Sequence, residues 1–397
     1  HTDILLLLFL RNQTVLSIER DYKMSNFRIM LLSTAAVGLA GALATPASAG
    51  EVEKSASFGG HVNRTVSIVD DGDATDIRSG DNGASMSRVR FQGSATSESL
   101  TTKAYIEVRA RGNRSASNTG TAASGSTLSM RHSYVSLSNS MGTLILGDTN
   151  PSGDLNGWAS GMFSGAWHGA DGDTLTGGEQ GAFIVKGAGT STGQEEGGLG
   201  TTVSPLTTMS SGRGGVIRYD SPDFNGVGVS ASLKGGADAA EEASASVGYS
   251  ADYDGTKVAV GYGYTNRAGN DATYKSFHSV GGGVELANGI NAHAGYFKRS
   301  NKASGAIDPK MWTVDLGYNM SVVDAGQTSI NVTYSQADDQ ASVNDDLNWY
   351  GINVAQELSD YGTSLYGGIS RAEYSISGNT IQYEDITAGW VGVRVTF

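Results

Sequence analysis

The chain contains no cysteine, which removes disulfide staples, thiolate metal ligation and thiol catalysis together. Proline is nearly as scarce, at 5 of 397 residues, and Pro151, Pro205, Pro222 and Pro309 fall in loops, turns or strand starts, where no ladder hydrogen bond is lost. No apolar run of 20 residues follows residue 50, so a membrane-crossing helix is excluded there. Lys and Arg are outnumbered by Asp and Glu, 27 to 40, and a net charge of −13 argues against a nucleic-acid partner, which needs a basic footprint. The 6 histidines are scattered, with no pair at metal-ligand spacing on a helix. No nucleophile elbow, Walker or dinucleotide fingerprint sits between a strand and a helix, so neither an enzyme nor a cofactor is expected.

What the chain has instead is a period of two. Val89, Phe91, Gly93 and Ala95 alternate with Arg88, Arg90, Gln92 and Ser94; Ala104, Ile106 and Val108 alternate with Lys103, Tyr105, Glu107 and Arg109. The same rhythm runs through Val258 to Tyr264, Trp312 to Tyr318 and Val391 to Phe397. A soluble sandwich would alternate too. Here the apolar face repeatedly ends in Tyr or Trp, as an aromatic girdle at a membrane surface requires. Short turns such as Ser138 to Gly142 and Ala287 to Gly289 also take turns with longer polar loops at Asp70 to Ala84, Gly112 to Ser126 and Asp338 to Asp346. The expected fold is all-β: a transmembrane antiparallel β-barrel of about sixteen strands. In lipid no backbone group can stay unpaired, so such a sheet must join its own edge, and sixteen strands enclose an aqueous lumen.

Residues 24–49 read as a secretory signal peptide. Met24 and Arg28 precede an apolar run from Ile29 to Leu43, and Ala47-Ser48-Ala49 supplies small residues before Gly50. Residues 1–23 read as a non-native upstream extension and are left out of the fold, which leaves 50–397 as the barrel domain. Within it, about 150–212 is the longest stretch without a strand pattern, yet it holds Trp158, Phe163 and Trp167. Ordered loops of this length are usually functional, and this one is expected to fold inward as a constriction loop.

The selectivity residues follow from the phase. Arg88, Arg90, Lys103, Arg109, Arg111 and Arg131 share the inward phase on neighbouring strands, and Arg218, Lys234 and Arg394 join that face elsewhere. Acids of the inserted loop, Asp154, Asp171 and Asp173, are expected to confront this wall and set up a transverse field. The plainer reading is that these are ordinary solvated residues. Asp71, Asp73 and Asp76 have the look of a calcium loop but lack the Glu at its twelfth position; a solvated acidic tip is the simpler reading, and no metal site is expected elsewhere.

Several stretches in order resemble the Gram-negative general porins, in particular those of alphaproteobacteria. Phe58 to Arg64 resembles the family's opening strand, Ser87-Arg88-Val89-Arg90-Phe91-Gln92-Gly93 its second strand, and Arg131 to Leu137 with Gly142 to Gly147 the hairpin entering the constriction loop. Val216 to Pro222 and Val391 to Phe397 resemble the strand leaving that loop and the closing strand. The resemblance implies a homotrimer in the outer-membrane lipid that admits ions and small hydrophilic solutes by passive diffusion. It makes Phe397 the signal for barrel assembly, and Arg88 and Arg131 part of the eyelet wall. Asp148 stands where the family commonly has Arg, which would place a constriction acid there and tilts the expected selectivity towards cations. A substrate-selective channel for a sugar or phosphate is the alternative; the inward phase shows few aromatics (Tyr105, Phe297, Trp390) for a sugar track. A soluble surface adhesin and an enzyme on a barrel are the more distant ones.

Overall fold

A computed structural model describes residues 51–397 apart from 71, 73–74, 83–84, 112–126, 155–162, 164–186, 189–211, 236–240, 268–273, 303–306, 341–342 and 379–381. The leader expected at 24–49 and the extension at 1–23 lie outside the described residues.

The first half contains β1 (Glu53–Asp70), β2 (Thr75–Asp81), β3 (Arg88–Thr96), β4 (Thr101–Arg111), β5 (Thr127–Asn139), β6 (Gly142–Thr149), β7 (Gly187–Ala188), β8 (Gly214–Asp220) and β9 (Val227–Lys234). The second half contains β10 (Glu242–Tyr253), β11 (Thr256–Arg267), β12 (Tyr274–Glu285), β13 (Ile290–Asn301), β14 (Lys310–Val323), β15 (Gly326–Asp338), β16 (Asp345–Leu358), β17 (Thr363–Ile376), β18 (Gln382–Tyr383) and β19 (Ile386–Thr396). Each wall strand pairs antiparallel with its neighbours, and β1 pairs with β19 from His61↔Thr396 to Asp70↔Thr387. The sheet therefore closes on itself. β2 and β3 both lie against β1 and make one wall strand, while β7 pairs only with β18, so the wall has 16 strands.

Alternation decides which way each side chain points. Val62, Val66 and Ile68 of β1 are half-exposed on the outer surface, while His61, Asn63, Thr65 and Ser67 between them are buried on the inner one. β15 repeats this, with Ile330 and Val332 outside and Ser329, Asn331 and Thr333 inside. A greasy exterior over a polar interior is the inverse of a soluble barrel and suits lipid outside and water inside. Tyr262, Tyr296, Trp312, Tyr318 and Tyr334 lie on the outer face, where a ring can meet apolar chains and its polar atom can meet water.

Two expectations need correction. The polar stretch Asp70 to Ala84 is not a long loop. β1 runs to Asp70, and β2 begins at Thr75 and runs back in register with β1 (Asp70↔Thr75, Arg64↔Asp81). Asp70 bonds across this junction: its carboxylate accepts from the Gly72 amide at 2.9 Å and the Thr75 hydroxyl at 3.1 Å. Asp71, Asp73 and the Asp76 side chain lie outside the described residues, and no metal cluster occurs among the described ones. The inner face also carries more aromatics than expected. Trp349, Tyr366 and Tyr374 join Phe297 and Trp390 there, in an apolar cluster with Met311, Leu347 and Ile386. All five rings are at most 6% exposed, so they are packed rather than lining open water.

Candidate functional site

The site is built where β3, β4 and β5 lie side by side. In-register pairing puts Arg88 beside Arg109, and Arg90 beside Glu107. Between β4 and β5 the register slips: Glu107 faces His132 but Val108 faces Met130, so Arg131 is an extra residue. Such a bulge re-aims a side chain. Here Arg131 and His132, though adjacent in sequence, both make their contacts on the inner side.

Glu107 is the hub. One of its carboxylate oxygens accepts from Arg131 Nε at 2.7 Å and lies 3.4 Å from Arg88 Nη1; the other accepts from Arg90 Nε at 2.7 Å and from the Tyr105 hydroxyl at 2.9 Å. Three guanidinium groups thus share one carboxylate that is only 3% exposed, and the cluster keeps net positive charge. Arg90 is the most open of the three, at 39%. Arg213, just before β8, extends the row by donating from Nε to His132 Nε2 at 3.3 Å. With that nitrogen accepting, His132 donates from Nδ1 to Thr149 Oγ1 at 3.0 Å. Glu107 carries the inward phase in the sequence but was not singled out there. A lone acid amid a basic row is the signal that marks it.

The other expected wall residues are dispersed. Lys103 is inward but lies lower on β4, over the Tyr105 ring at 5.1 Å. Arg218 pairs with Asp220 at 2.8 Å and reaches the Asn150 carbonyl at 3.3 Å, away from Glu107. Lys234 meets Glu242 at 3.4 Å, and Arg394 donates to Ser364 at 3.2 Å. Arg111 ends β4, and its side chain lies outside the described residues.

Asp148 is the clear correction. It is paired in register with Ser133 and Gly215, on the face that carries Leu146 and Ile217, and it is exposed there. The inner phase of β6 belongs to Ile145, Gly147 and Thr149. Asp148 therefore points out of the barrel and contributes no acid to the constriction, and the tilt towards cations loses its ground. Asp148→Asn is expected to leave the reversal potential of the channel in a salt gradient unchanged.

Where it is described, the connection between β6 and β8 bonds to the inner face of the barrel. The Ser152 amide donates to Ser232 Oγ of β9 at 2.9 Å, and its hydroxyl meets Ser244 of β10 at 3.1 Å. One residue on, the Gly153 carbonyl accepts from Ser279 of β12 at 3.2 Å. Farther along, the Phe163 carbonyl accepts from Asn319 of β14 at 2.8 Å. All these partners are small or amide side chains on the inner face, which leave room for a second layer. Past these contacts, β7 pairs with β18, between β17 and β19. Asp154 lines a cavity of about 310 Å³ with Arg218 and Asp220, whereas Asp171 and Asp173 lie outside the described residues.

A closed wall, greasy outside and wet inside, with a connection folded into it, defines a transmembrane β-barrel channel. The chain belongs to the Gram-negative porin family, whose sequence profile matches residues 33–377, and it is an outer-membrane porin. No curated protein matches it. Among solved structures it is similar to an anion-selective porin from Comamonas acidovorans, at 18% identity and a TM-score of 0.59, covering 87% of this chain and 100% of that one. It is also similar to the trimer form of OmpT from Vibrio cholerae, at 14% identity and 0.55, covering 87% and 99%. A mutant of the Rh. blastica porin matches at 16% identity and 0.50, covering 86% and 100%. At these identities the likeness is one of fold.

Proposed function

We propose that this porin passes ions and small hydrophilic solutes by passive diffusion, without catalysing a reaction, and that it favours anions. The observation that carries the preference is the sharing of Glu107 by Arg88, Arg90 and Arg131, which leaves positive charge on one wall of the lumen. Fixed charge of one sign beside a water-filled path raises the local concentration of counter-ions. The similar Comamonas protein is described as anion-selective, which agrees in sign.

A sugar-selective reading would need an open row of stacking rings. Among the described residues, the inward Trp349, Tyr366, Tyr374 and Trp390 are packed into the apolar cluster, and the stacked Tyr105 and Tyr134 make a pair rather than a row. A homotrimer is the proposed assembly. Arg64 and Asp148 both stand on the outward, exposed face, where lipid contact is unfavourable to charge and a neighbouring copy would relieve it. The similar OmpT structure is of a trimer form.

Reconstitution of the folded protein into planar bilayers under a potassium chloride gradient tests the reading. Stepwise conductance with a reversal potential on the chloride side is expected. Folded barrels without conductance would defeat the channel, and a reversal potential on the potassium side would defeat the anion preference.

A further inference from the structure

Between β2 and β3 the chain leaves the wall. Arg64 pairs with Asp81 and His61 with Arg88, so residues 82–87 stand opposite only Val62 and Asn63 of β1. An ordinary bulge adds one residue. The described part of this segment turns inward, because Asn82, Ser85 and Met86 bond to side chains on the inner face. The Ser85 carbonyl accepts from Asn63 Nδ2 at 2.9 Å, and the Met86 carbonyl lies 3.0 Å from His61 Nε2. Ser87 Oγ accepts from the Asn63 amide at 2.9 Å and donates to Asp81. Asn82 Nδ2 reaches both Thr65 Oγ1 and the Tyr366 hydroxyl at 3.0 Å.

Tyr366 is the clamp. It belongs to β17, two strands away from β1 by way of β19, and its row runs Tyr366↔Gly392↔Thr65. The ring lies across Gly392, where a Cβ would come within 2.2 Å of it. That absence of a side chain lets the hydroxyl meet Thr65 Oγ1 at 2.6 Å and donate to Asn63 Oδ1 at 2.6 Å. Asn63, Thr65, Asn82 and Tyr366 are all at most 5% exposed, so the knot is dry and its polar groups must hold one another. At its far end the segment grips the basic wall, since the Met86 carbonyl accepts from Arg88 Nε at 2.9 Å.

We infer that Asn82 and residues 85–87 of the β2–β3 connection form a second lumen-side element, clamped by Tyr366 across Gly392, and that they position Arg88 and through it set the anion preference. Tyr366 and Asn82 are positioning residues, and the inference rests on the proposed role of the arginine wall.

The test measures the chloride-to-potassium permeability ratio in planar bilayers for Tyr366→Phe, Asn82→Ala, Arg88→Gln and the Tyr366→Phe/Arg88→Gln pair. Heat-modifiable migration in detergent gels identifies folded barrels. Each single change is expected to lower the ratio by about threefold, in keeping with one displaced charge in a wet lumen. The pair should add nothing to Arg88→Gln alone, because the hydroxyl acts through that arginine. A merely structural clamp would alter heat stability and leave the ratio unmoved. If Arg88→Gln lowers the ratio while Tyr366→Phe and Asn82→Ala keep the wild-type value, the inference fails and the charge reading stands. If Arg88→Gln also keeps it, both fall. Should Tyr366→Phe not fold, Asn82→Ala decides.

Discussion

Replacing Arg90 and Arg131 together by Gln is expected to turn the channel from anion-favouring to cation-favouring. Both residues spend their Nε–H on Glu107. Removing them takes away two positive charges and strips a buried carboxylate of its two shortest ionic bonds. Each charge, at about 8 Å and an effective dielectric constant of about 40 to 80, is worth about 0.5–1 kcal/mol, so the two changes amount to at least about fivefold in relative permeability. The reversal potential under a salt gradient reads this directly. A companion change, Glu107→Gln with the arginines kept, should move it further towards chloride. If the double variant stays chloride-selective, the passing ion does not sense this wall.

Deletion of Phe397 is expected to cut the amount of heat-modifiable barrel in outer-membrane fractions by at least about tenfold, since it leaves the Gly60 amide and carbonyl unpaired at the seam, at a cost of several kcal/mol per group in lipid. Phe397 adds a further pair to the β1–β19 seam: the Gly60 amide donates to the Phe397 carbonyl at 3.0 Å, and the Phe397 amide to the Gly60 carbonyl at 3.1 Å. Its ring stands 5.9 Å from that of Phe58, which in turn stands 5.2 Å from Phe91. Gly60 has no room for more, because a Cβ there would lie 2.3 Å from the Arg88 carbonyl oxygen. Gly60→Val should therefore reproduce the deletion phenotype with the terminal residue intact, while Phe397→Tyr should assemble. Normal assembly after deletion would show that closure does not depend on this end.

The wall was legible because a period of two is written into every strand, and lipid on one side with water on the other leaves it nothing to hide behind. The stretches Val258 to Tyr264 and Trp312 to Tyr318 could be read directly from it, and they lie within β11 and β14. The basic row was legible for the same reason. What failed was any inference that set phase aside. Asp148 was read as a constriction acid by likeness to a family position, although Leu144 and Leu146 had already declared its side of β6 to be the outer one. The β2–β3 segment was read as part of a surface loop. Asn82, Ser85 and Ser87 look equally polar whether they meet solvent or a buried clamp, and the tyrosine that holds them lies 284 residues from Asn82. The Arg131 bulge was invisible too, since one extra residue leaves the composition of a strand unchanged.

The strands are not equally long. β6, β8 and β9 have 8, 7 and 8 residues, whereas β16 and β17 have 14 each. At ~3.3 Å per residue and a tilt of ~40°, the first group rises roughly 20 Å and the second roughly 35 Å, against an apolar band of about 25 Å. A lone copy would therefore pinch the bilayer thin along one flank only, a lopsided mismatch that lipids resist and that association hides. Thickness alone would then tune how readily copies gather, with thicker membranes driving them together.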